Sequence, residues 1–69
     1  MVIKIRPPTV EKLASEARAK RNELLAASDW TQVLDAPVDQ TAWAIYRQEL
    51  RDITTQPGFP ENINWPMQP

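Results

Sequence analysis

The sequence predicts an all-α fold: a small two-helix hairpin with an extended N-terminal arm and a proline-rich C-terminal tail packed back on the helices. Three observations carry this. Two runs rich in helix-forming residues repeat apolar side chains at three- and four-residue steps. Seven prolines against one glycine cluster at both ends and in the middle, so they divide the chain into blocks. A chain of 69 residues has room for one domain and a small core. The division expected is an arm over residues 1–8 and a helical-hairpin domain with a wrapping tail over residues 9–69.

The arm reads Val2-Ile3-Lys4-Ile5-Arg6, β-branched and partly alternating, before Pro7-Pro8 stops any regular ladder. Such a segment is either a loose arm or a strand lent to a partner. The first helix is expected from Thr9, its N-cap, to about Ala27. Val10, Leu13, Ala14, Ala17, Arg21, Leu24 and then Ala27 or Ser28 form one stripe, interrupted by the Arg21 charge. Glu16 and Lys20 stand four apart in the favourable order, and Lys12, Arg18 and Glu23 occupy the opposite face. The first half of the stripe is thin and alanine-rich. It is expected to stand away from the core or to pack against a second chain.

Residues 28–38 form the connection, with Trp30 and Leu34 expected to tuck inward and Asp35-Ala36-Pro37 to turn the chain. The second helix is expected from Asp39, its N-cap, to about Thr54, with Val38 and Trp43 placed as a hydrophobic staple. Ala42 or Trp43, with Tyr46, Leu50 and Ile53, is expected to face inward; Arg47 and Arg51 are expected on the outer face beside Asp52. The tail from Gln56 carries four prolines among the anchors Phe59, Ile63, Trp65 and Met67, which suits an extended path laid across the helices. The expected core is therefore Leu24, Trp30, Leu34, Trp43, Tyr46, Leu50 and Ile53. The expected partner-binding set is Ile3, Ile5, Phe59, Ile63, Trp65 and Pro66.

Composition narrows the function classes. The net charge of -1, from 8 basic and 9 acidic residues, makes no electrostatic case for nucleic acid or anionic lipid. No apolar run approaches the ~20 residues of a membrane span, and the N-terminus lacks signal-peptide features. The expectation is a soluble, unexported protein. With no histidine and no cysteine, disulfides and Cys/His zinc sites are impossible, as are the commonest general base and thiol nucleophile. Gly58 is the single glycine, so no phosphate-cradling loop exists. Asp29, Asp35 and Asp39 miss the spacing of a calcium loop and read as turn and cap residues. Glu49 and Asp52 read as a solvated face with Arg47 and Arg51. No cofactor and no catalytic group is expected. Three tryptophans with Tyr46 and Phe59 are many for this length, and serve either a small core or a binding face.

Against this background the run from Arg21 to Gln32, containing Leu24-Leu25 and Ser28-Asp29-Trp30-Thr31, resembles the opening of the phage tail assembly chaperone family. Asp35-Ala36-Pro37-Val38-Asp39-Gln40 follows, then Trp43 to Ile53, then Gln56-Pro57-Gly58-Phe59-Pro60 and Trp65-Pro66. The ordered set covers about residues 18 to 66. The resemblance implies a non-enzymatic protein of tail or tail-fibre morphogenesis, acting in the host cytoplasm during phage assembly. It brings no catalytic residues. The partner it implies is another phage tail protein, neither nucleic acid nor membrane, and it leaves room for a homo-oligomer. Alternatives are a virion adaptor that stays on a tail fibre or baseplate, and a small regulator of a host factor.

Overall fold

A computed structural model describes residues 9–69, and the arm expected over residues 1–8, with Ile3 and Ile5, lies outside the described residues. The order is α1 (Val10–Ser28), a 3-10 helix (Asp29–Gln32), α2 (Gln40–Arg51) and a second 3-10 helix (Asp52–Thr55). There is no strand among the described residues.

Each helix begins where a short polar side chain satisfies an otherwise orphaned amide. The Thr9 hydroxyl accepts from the Lys12 N–H at 3.1 Å, and the Asp39 carboxylate accepts from the Ala42 N–H at 3.1 Å. The second α-helix ends earlier than expected. Its last turn tightens to 3-10 geometry from Asp52, where the Thr55 hydroxyl donates to the Asp52 carbonyl at 2.7 Å. Local hydroxyl bonds of this kind compete with α-helical continuation.

The two helices pack antiparallel and bury Ala14, Ala17, Tyr46, Leu50 and Ile53. Of the other expected core residues, Leu24 and Trp43 are half-buried. Trp30 and Leu34 require correction: Trp30 is 50% exposed and Leu34 92% exposed. The cause is local. Ser28 and Thr31, three apart on one face, take the inward positions, leaving Trp30 turned aside. Val33 then leaves the 3-10 helix with extended backbone, φ -75° and ψ 153°. The Ala36 N–H donates to the Val33 carbonyl at 3.1 Å, which puts Leu34 at the tip of a turn.

The alanine-rich half of α1 is also corrected: Ala14 and Ala17 are buried within the chain itself. The tail lies beside this stretch. The Arg18 guanidinium stands 5.7 Å from the Phe59 ring centroid, and the Lys20 ammonium 4.4 Å from that of Trp65. Lys20 thus lies over an aromatic face, and it makes no ion pair with Glu16. Gln56 closes the intervening loop. Its amide donates to the Asn64 carbonyl at 2.9 Å and accepts from the Asn64 N–H at 2.8 Å. Within that loop the Asn62 N–H donates to the Gly58 carbonyl at 2.7 Å. A Cβ on residue 58 would lie 2.4 Å from the Asn62 carbonyl oxygen, so only glycine fits.

Candidate functional site

The features that set this chain apart gather where the two helices are joined. α1 ends with no basic residue in its last turn, so its exposed carbonyls and negative dipole end have no cation of their own. Arg47 supplies one from α2. Its Nη1 donates to the Leu25 carbonyl at 2.6 Å and to the Ser28 hydroxyl at 2.8 Å, while Nη2 meets the Asp29 carboxylate at 2.6 Å. The Ser28 hydroxyl in turn donates to the Leu24 carbonyl at 2.9 Å. Arg47 therefore faces inward, 12% exposed, and the expected outer-face placement is corrected. Its planar fork satisfies three acceptors on a neighbouring helix, which a solvated position would waste.

A second set of side chains ties the connection. The Thr31 hydroxyl donates to the Ser28 carbonyl at 2.6 Å. The Gln32 amide donates to the Gln40 carbonyl at 3.3 Å, and the Gln40 amide to the Thr31 carbonyl at 3.1 Å and to that of Val33. Ser28 and Thr31 are buried polar groups, yet no buried side-chain nitrogen or oxygen among the described residues lacks a partner. The Ser28-Asp29-Trp30-Thr31 run thus divides by role. Three of its members hold the helix junction. Trp30 is left facing outward.

Trp30 nonetheless keeps an aromatic neighbour. Its ring centroid lies 6.3 Å from that of Trp43, and Trp43 meets Tyr46 edge-on at 5.6 Å and 88°. This aromatic series runs from the buried Tyr46 out to the half-exposed Trp30. Beside Trp30, Val33 is 56% exposed and Leu34 almost wholly so. A half-exposed tryptophan packed against a second indole, with two exposed aliphatic side chains, can make apolar contact with another polypeptide.

The expected partner-binding residues of the tail have a different setting. Phe59, Ile63, Trp65 and Pro66 are half-buried, with Phe59 and Trp65 against Arg18 and Lys20 of α1. Beyond them Met67 and Pro69 reach α2 and line a shallow groove of about 240 Å³ with Ala42, Ile45, Tyr46 and Glu49. Ile3 and Ile5 lie outside the described residues. The roles of Ser28, Thr31, Gln32, Gln40 and Arg47 were missed in the sequence. The available signal was a first helix with no cation near its end, followed by an arginine at the matching height of its neighbour.

Among the described residues, no three metal-capable side chains gather, and no helix is long and apolar enough to cross a membrane. The sequence model of one family, described as phage tail assembly chaperone protein, matches residues 14–69. That span takes in α1 from Ala14 onward, the junction, α2 and the tail. No curated protein and no solved structure matches the chain.

Proposed function

The chain belongs to the phage tail assembly chaperone family, and on that premise we propose that it binds a tail polypeptide during assembly in the host cytoplasm, without catalysis, and releases it into the growing tail. The family match carries this reading, since it spans most of the sequence and every motif quoted above. The exposed side chains support it. Trp30, Val33, Leu34, Ile45 and Met67 all present large apolar surface, which suits transient contact with another polypeptide better than a solitary existence.

On this reading the two ends of the motif set do different work. Phe59 and Trp65 fasten the tail to α1 and complete a small fold. The outward side chains meet the client.

The test is pairwise co-expression of the chain with each tail polypeptide of the phage that encodes it. One of them should stay soluble and co-purify with the chain, and mass spectrometry of finished virions should find the chain absent. Recovery in virions at a fixed ratio to a tail protein would replace this reading with that of a resident adaptor. Association with none would remove the assembly role.

A further inference from the structure

The junction end of the hairpin couples its apolar side chains to a one-sided charge pattern. From Asn22 to Tyr46 the sequence contains no lysine and no arginine, but it contains Glu23, Asp29, Asp35 and Asp39. All four are exposed. Arg47 offsets Asp29. Asp35 and Asp39 have no ion-pair partner among the described residues, and they follow closely on Trp30, Val33 and Leu34. Of the basic residues of α1, Lys12 lies in its first half and Arg18, Lys20 and Arg21 lie near its middle, where two of them cover tail aromatics.

We infer that Trp30, Val33 and Leu34 form the client-docking surface, and that its occupant is an amphipathic segment of the tail polypeptide whose apolar side chains are flanked by lysine or arginine. This rests on the assembly reading above and adds the place and the chemistry. The apolar part of the occupant covers the leucine, valine and indole surface, whose indole packs 6.3 Å from the Trp43 ring. Its cations meet Asp35 and Asp39, which steer the encounter and reject acidic segments. A symmetric pair of copies docked through this patch would set the same carboxylates against each other. The charge pattern therefore favours a different polypeptide over a second copy.

The full chain is tested with two synthetic helical peptides that share one leucine face and carry either lysines or glutamates on the other. Backbone amide shifts report where each binds. The lysine peptide should shift residues 29–39 and bind about tenfold tighter or better, roughly 1.4 kcal/mol, and added salt should narrow the difference. Leu34→Asp should cost a comparable factor with an unchanged circular dichroism spectrum, because this side chain is almost fully exposed.

Equal affinity for the two peptides, shifts confined to residues 56–69, or wild-type binding by Leu34→Asp would overturn the inference. So would self-association of the free chain that Leu34→Asp abolishes, since a second copy would then be the occupant. Co-expression separates the two levels. A tail polypeptide held equally by wild type and Leu34→Asp removes the docking surface and leaves the assembly role. A wild-type chain that holds no tail polypeptide removes both.

Discussion

Replacing Arg47 with alanine should be the most damaging single polar change in this fold. The side chain joins α2 to the end of α1 through three contacts of 2.6, 2.8 and 2.6 Å. They are not equal. The Asp29 carboxylate is 66% exposed, so that ion pair contributes less than about 1 kcal/mol. The bonds to the Leu25 carbonyl and the Ser28 hydroxyl are part-buried, and charged donors in such settings contribute roughly 1.5–3 kcal/mol each. Water can reclaim part of what is lost once the guanidinium leaves. A net cost of about 2–3 kcal/mol follows. A domain of this length has a total stability of only about 3–10 kcal/mol. Thermal unfolding followed by circular dichroism should show a fall in Tm of roughly 10–20 °C. Asp29→Asn should change stability by less than about 1 kcal/mol, and Arg47→Lys should fall between, because one ammonium cannot span the three acceptors. If Arg47→Ala stays within about 0.5 kcal/mol of wild type, or if Asp29→Asn costs as much, the cross-helix cap has been misread.

Trp43→Ala removes the ring between Trp30 and Tyr46 and should destabilise by about 3 kcal/mol in urea unfolding; an unchanged midpoint would take Trp43 out of the packed interior. Asp39→Ala should cost about 1 kcal/mol through the lost cap, with Asp39→Asn close to neutral. Gly58→Ala forces a methyl against the Asn62 carbonyl and should cost about 1–3 kcal/mol. Its specific sign is faster hydrogen exchange at the Asn64 amide; normal protection there would mean the loop tolerates a side chain.

The helices were legible because their signals are local. Thr9 and Asp39 cap where short oxygen-bearing side chains precede helix-forming runs, and Tyr46, Leu50 and Ile53 recur at the helical period. The junction was less legible, because hydrophobicity alone ranks Trp30 and Leu34 above Ser28 and Thr31 for burial. The structure reverses that order. A 3-10 turn places residues three apart on one face, and bonds to the end of α1 make the two hydroxyls acceptable inside. Arg47 follows the same logic: its neighbours in sequence describe a solvated face, while its bonding partners come from a helix about twenty residues earlier. A thin alanine stripe predicts exposure or a second chain, yet Ala14 and Ala17 are buried within this one, since periodicity does not reveal what a distant part of the chain will pack there.

A tail polypeptide that precipitates when diluted from denaturant offers the most direct test of the assembly role. Its light scattering is measured with and without the folded chain. Scattering should be suppressed once the chain reaches roughly equal molar amount, as a stoichiometric binder requires. Scattering that is unchanged for every tail polypeptide of the phage, at any excess of chain, would contradict the role.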